Sequence, residues 1–135
     1  MKGLIIFLLF TFAFSYSDLE ALQRVVYCEA RGEPDAGKLA VAYVVINRSS
    51  ISGRSIAYEA TKPSQFCVWG GAMTETGAAL KCKNFAQIAM NRSSPDPSNG
   101  ATFFFSGSKY PYWAQGRTPC ARIGGHLFFK NIAPY

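Results

Sequence analysis

Histidine is all but missing from this 135-residue chain, with His126 the only one. That leaves any Ser/His/Asp or Cys/His nucleophilic system a single base, and no G-x-S-x-G elbow accompanies it. Zinc is equally short of ligands, since the four cysteines lack paired-ligand spacing and one imidazole cannot supply the rest. No metal or other cofactor is expected. P-loop and G-x-G-x-x-G fingerprints are absent, so nucleotide chemistry has no support. Beyond Phe14 no apolar stretch runs uninterrupted by polar residues, which argues against stable membrane insertion of the remaining chain. Acidic residues are few, eight against fourteen Lys and Arg, for a formal charge of +6. A basic exported protein is drawn to an anionic polymer such as a bacterial wall, a nucleic acid or a membrane surface. The basic residues are scattered and form no nucleic-acid motif, so nucleic acid ranks low.

What is present begins with Lys2 and the apolar run Leu4 to Phe14, too short to span a bilayer comfortably and shaped like a signal peptide. Cleavage after Ser15 or Ser17 fits the small-residue rule. Residues 1–17 are therefore read as a signal peptide and 18–135 as one secreted, monomeric domain with one core. In an oxidising compartment Cys28, Cys67, Cys82 and Cys120 favour two disulfides, for which three pairings exist. The preferred pairing is Cys67 with Cys82, closing a short loop, and Cys28 with Cys120. A Cys28 nucleophile is disfavoured, because an exported thiol tends to pair.

The octet Tyr27-Cys28-Glu29-Ala30-Arg31-Gly32-Glu33-Pro34 carries the candidate chemistry. Ser17 and Glu20 form a capping-box pattern, and Leu19, Leu22 and Val26 recur at helical spacing. Gly32 suits the C-terminal cap and Pro34 comes two residues later, so the helix is expected to end near Arg31. Glu29 then lies in the last turn, facing the negative pole of the macrodipole, which favours a neutral carboxyl group. A neutral carboxylic acid is the proton donor that glycosidic cleavage needs. The plainer reading is a solvated surface ion pair.

Downstream, Ala36 to Asn47 reads as a second helix, apolar nearly all round and therefore central, with Asn47 and Arg48 at its end. Ile56 to Thr61 suits a short helix, and Thr74 to Asn91 an amphipathic one offering Leu80, Phe85 and Ile88 to the core. Ala101 to Phe105 and Gly125 to Phe129 suit strands. Gln65, Phe66 and Trp69, with Tyr112 and Trp113 of an aromatic loop, are candidate groove residues; packing in a small core explains the aromatics equally well. Asn47 and Arg48 start an Asn-Arg-Ser sequon that recurs at Asn91, and Asn47 also suits tying down a neighbouring loop.

The ordered blocks Tyr27 to Pro34, Gly37 to Ala42, Val45-Ile46-Asn47-Arg48, Gln65-Phe66, Asp96-Pro97 with Gly100-Ala101-Thr102, and Ile123-Gly124-Gly125-His126-Leu127-Phe128-Phe129 together resemble the SleB-like cell wall hydrolase family. The resemblance implies an α+β fold, a compact, helix-rich, lysozyme-like single domain with a small β element. It implies peptidoglycan as substrate, Glu29 at the position of the catalytic acid and Glu33 at a second acidic position. Tyr27, Asn47, Gln65, Phe66, Trp69, Asp96, Tyr112, Trp113 and His126 become the expected substrate-binding or supporting set. Cys28 departs from the family, which often has glycine there. The expected reaction is lytic transglycosylation at the MurNAc-GlcNAc bond, with a hydrolytic muramidase or a non-catalytic wall-binding module as alternatives. A zinc amidase is disfavoured by the single histidine.

Overall fold

Ser17 opens α1 (Asp18–Ala30), its hydroxyl accepting the Glu20 N–H at 3.2 Å. The reciprocal half of the capping box is not made. Glu20 Oε1 instead receives Nε and Nη2 of Arg24 one turn on, a charge-assisted pair that outcompetes a neutral amide. These relations come from a computed structural model, which describes residues 15–130 and Ile132; most of the expected signal peptide, 1–14, lies outside the described residues.

Helix α1 ends at Ala30 as the sequence predicts, yet Gly32 takes no left-handed conformation. The Glu33 N–H donates to the Ala30 carbonyl at 2.9 Å, so a tight turn closes the elbow. Pro34 then caps α2 (Asp35–Ser52) from outside the helix. Helix α2 also runs past the expected end at Asn47, because Gly53, at φ 73°, supplies the left-handed cap and donates to the Ser49 carbonyl. Asn47 and Arg48 therefore lie inside the helix. Every residue from Gly37 to Ile46 is buried, which makes α2 the central helix.

Three helices surround it: α1, α3 (Ile56–Thr61) and α4 (Thr76–Asn91). Helix α4 buries the small residues Cys82, Ala86 and Ala89, which permit close helix approach. Leu80, expected in the core, is 60% exposed, because that small-residue stripe is the face that packs. The sheet has three antiparallel strands, β1 (Phe103–Ser106), β2 (Ala121–Ile123) and β3 (His126–Phe129), in the order β1-β3-β2. Phe104 pairs with Phe128 and Phe105 with Leu127. The alternation sends Phe104 and Phe128 toward the helices, while Phe103, Phe105, Leu127 and Phe129 form a second cluster with Trp113. The expected α+β architecture is thus present, with β2 as an additional strand.

The cysteine pairing differs from expectation. Cys28 is bridged to Cys67 across a Cα separation of 5.6 Å, while Cys82 and Cys120 are unbridged. Nearness in sequence misleads here: Cys82 faces the core from α4, and the Cys120 thiol donates to the Ser98 carbonyl at 3.2 Å. Burial pushes both thiols upward, so neither is an activated nucleophile.

Phe128 is fully buried between sheet and helices. Phe128→Ala is expected to cost about 3–5 kcal/mol in a urea melt, the range for emptying an aromatic site in a packed core.

Candidate active site

The candidate cleft is built where the last turn of α1 meets the segment after α3. Lys62-Pro63-Ser64-Gln65 forms a turn closed by the Gln65 N–H on the Lys62 carbonyl at 3.4 Å, with Ser64 at φ 61°. Proline followed by a positive φ is the pattern of a type II turn. The turn aims Gln65 at Arg48, whose Nη1 donates to Gln65 Oε1 at 2.8 Å and whose Nε donates to the Thr102 carbonyl at 2.6 Å. One buried guanidinium thus joins α2, this turn and the lead-in to β1. The Arg48 carbon also stands 4.5 Å from the Phe66 ring centre and 4.3 Å from that of Phe103.

Glu29 faces the resulting cleft, a space of about 430 Å³ lined also by Arg48, Gln65, Phe66, Phe104 and Trp113. The Cys67 N–H donates to Glu29 Oε1 at 2.7 Å. Glu29 is the one carboxylate among the described lining residues. A larger cleft, about 810 Å³ beside Tyr16 and Tyr58, offers only Asp18 as a carboxylate. Asp18 is already engaged there, accepting the Ala57 N–H at 2.8 Å.

Glu33 lies apart from this lining. Its Oε2 accepts the Gly125 N–H at 3.0 Å, and a Cβ on Gly124 would come within 2.0 Å of that oxygen. Gly124, at φ 55°, is the first residue of the tight β2–β3 turn, where only glycine meets both conditions. His126, 3% exposed, places Nδ1 3.7 Å from Glu33 Oε1 and packs edge-on against Phe104. Burial lowers the imidazole below its ordinary value, with Glu33 and then Glu29 pulling the other way. At neutral pH the ring is therefore uncharged and the contact with Glu33 is no ion pair.

Other expected site residues make contacts away from this lining. Tyr27 is fully buried, and its hydroxyl accepts the Glu75 N–H at 3.3 Å. Trp69 packs edge-on against Tyr27 at 5.2 Å, with Arg31 stacked on both rings. Asn47 Nδ2 donates to Asp96 Oδ2 and to the Ala101 carbonyl, which occupies the amide of that sequon. Asp96 also accepts the Ser98 and Gly100 amides, capping its own loop. Tyr112 is 92% exposed, outside the cleft. The lining residues that sequence reading left out of the site are Arg48, Ser64, Phe103, Phe104, Phe105 and Ser106. An arginine closing an apolar helix was the signal for the first; the phenylalanines gave none apart from strand propensity.

Gly124→Ala is expected to destabilise the fold by at least about 1 kcal/mol in chemical denaturation, since alanine meets both a positive φ and the Glu33 carboxylate. His126 supplies a pH test. Its folded value lies below the unfolded one, so unfolding takes up a proton, and stability is lost as pH falls below the unfolded value toward the folded one. Between about pH 7.5 and about pH 5.5, either side of the unfolded imidazole value, the melting temperature of His126→Phe is expected to fall less than that of wild type. Equal falls in thermal melts refute this.

Comparison with known proteins gives a consistent picture. The family model described as Cell Wall Hydrolase matches residues 32–129, a stretch that holds Glu33 and His126 and starts just past Glu29. The spore cortex-lytic enzyme of Bacillus subtilis (strain 168) is 32% identical over 118 residues, covering 85% of this chain and 38% of that protein. That of Halalkalibacterium halodurans is 32% identical over 126 residues, covering 85% and 35%. The chain thus spans little more than a third of these relatives. Among solved structures, the catalytic domain of the germination-specific lytic transglycosylase SleB from Bacillus anthracis superposes with a TM-score of 0.67 at 26% identity, covering 87% of this chain and 98% of that one. The catalytic domain of the Bacillus cereus SleB protein gives 0.64 at 28% identity, covering 85% and 92%. With its matched segment spanning most of the described fold, the chain belongs to the cell wall hydrolase family.

Proposed function

We propose that this chain cleaves the glycan strands of peptidoglycan as a lytic transglycosylase, acting outside the cytoplasm after export. The observation that carries the reading is a cleft whose described lining holds one carboxylate, Glu29, with one oxygen held by a backbone amide. Hydrolysis in most glycosidases uses a pair of carboxylates flanking the bond, one of which serves as nucleophile or activates water. Glu33, the nearest candidate in sequence, is engaged instead by Gly125 and its neighbouring turn. A single acid suffices if the sugar supplies its own nucleophile.

With Oε1 accepting from Cys67, Oε2 is the oxygen to present a proton to the glycosidic oxygen between N-acetylmuramic acid and N-acetylglucosamine. The C1–O bond breaks with its electron pair going to the leaving oxygen, and positive charge develops on the muramic ring. Glu29, now a carboxylate, takes the proton of the muramic 6-hydroxyl as that oxygen bonds to C1. The product is a 1,6-anhydro sugar, and Glu29 returns to its starting state. The names of the relatives, spore cortex-lytic enzyme and germination-specific lytic transglycosylase, agree with this chemistry. Trp113 and Phe104 give the cleft apolar walls against which a pyranose ring can stack. Glu33 acts as a positioning residue that fixes the elbow between α1 and α2.

Mass spectrometry of fragments released from purified peptidoglycan tests the reading. Wild type is expected to yield ends in 1,6-anhydro-muramic acid, and Glu29→Gln to lose at least about 100-fold in rate with its circular dichroism unchanged. Reducing muramic ends would make it a hydrolytic muramidase, and release by neither protein would favour a wall-binding module. Glu33→Ala is expected to retain measurable turnover while losing about 0.5–1.5 kcal/mol of stability, the net worth of the lost hydrogen bond to the exposed Gly125 amide.

A further inference from the structure

Cys67 meets the α1 helix through two different atoms. Its sulfur is bonded to Cys28, the residue before Glu29, and its amide donates to the Glu29 carboxylate. Yet Cys67 itself belongs to no helix or strand. The neighbouring grips fall on either side: Gln65 is held by Arg48, while the Trp69 and Gly71 carbonyls accept from Arg24 Nη1 at 2.8 Å each. The donor to Glu29 thus rides on an irregular segment whose one covalent link is this bridge. Cys67 is exposed and Cys28 partly so, which leaves the bond open to a small reductant.

We propose that the Cys28–Cys67 disulfide is a positioning device for Glu29, so that glycan cleavage depends on the oxidised state of this bridge. The inference rests on the reading of Glu29 as the acid. A dithiol reductant would exchange with the bridge, leaving Cys28 and Cys67 each with a proton and the reductant as its own disulfide. Phe66 and Val68 keep their packing on the core, but Cys67 between them loses its covalent tie, its amide no longer stays on Oε1, and the carboxyl samples rotamers that do not face the leaving oxygen. Cleft walls on other elements, Arg48, Phe104 and Trp113, remain in place, so substrate still binds. Turnover falls and affinity does not.

The test compares the full mature protein in oxidised form, the same protein kept in excess dithiothreitol, and the variant Cys28→Ser/Cys67→Ser. Two readouts are taken: kcat and KM on soluble glycan fragments, and the NMR shift of the Cys67 amide as pH is varied. Reduction is expected to lower kcat about tenfold or more with KM within about twofold, as for a misplaced catalytic group. The Cys67 amide should follow Glu29 titration in the oxidised protein, lose that response in Glu29→Gln, and lose it on reduction. A Cys82→Ala/Cys120→Ala variant should respond to the dithiol as wild type does. Unchanged kcat together with an unchanged amide profile on reduction overturns the proposal, even if the melting temperature drops. Absence of cleavage by the oxidised protein would instead remove the reading of Glu29 as acid, and the amide profile would still decide whether the bridge positions it.

Discussion

A helix without a solvent face has to be enclosed, and from Gly37 to Ile46 α2 is such a helix. Helices α1, α3 and α4 and strand β1 all pack on it. Polar atoms are pushed to its two ends, and those ends carry the site's supports. At the first, buried Lys38 donates through Nζ to the Glu33 carbonyl. At the other, Arg48 satisfies the Thr102 carbonyl and Gln65. A hydrogen bond to a charged group contributes about 1.5–3 kcal/mol, so these contacts fix the elbow and the cleft floor more firmly than a surface ion pair does.

The two glutamates of the octet Tyr27 to Pro34 acquire different environments from a separation of about one helical turn. Glu29 remains in α1 and faces open cleft, whereas Glu33 has left the helix and meets the Gly124–Gly125 turn. A neutral His126 beside Glu33 adds no positive charge there at neutral pH. The glycines and the histidine of the Ile-Gly-Gly-His block thus act on the glutamate that does not line the cleft.

Much of this was legible in the sequence because it depends on short-range chemistry. The Ser17 cap, the stop after Ala30 and the apolar sweep of α2 each arise from residues within one or two turns. Gly53 was equally local, yet the serines before it disguised another turn of helix. What escaped depends on partners far along the chain. Cys28 chooses Cys67 because the Trp69 segment is clamped to α1 by Arg24, a relation no spacing rule encodes. Strand β2 contains three residues, too few for an alternation to register. Glu29 was visible, whereas Arg48, buried across from it, needed the cleft itself to be recognised.

The bond from Gly125 to Glu33 joins residues 92 apart in sequence. Contacts of that span close late, because a long loop must be ordered before they yield any gain. The helical part can gather around α2 before the β2–β3 turn docks. The elbow carrying Glu33 therefore receives its final support only when that hairpin has docked. The placement of Glu33 is thus a property of the assembled fold rather than of its own helix end, and it loosens first if the β2–β3 hairpin undocks.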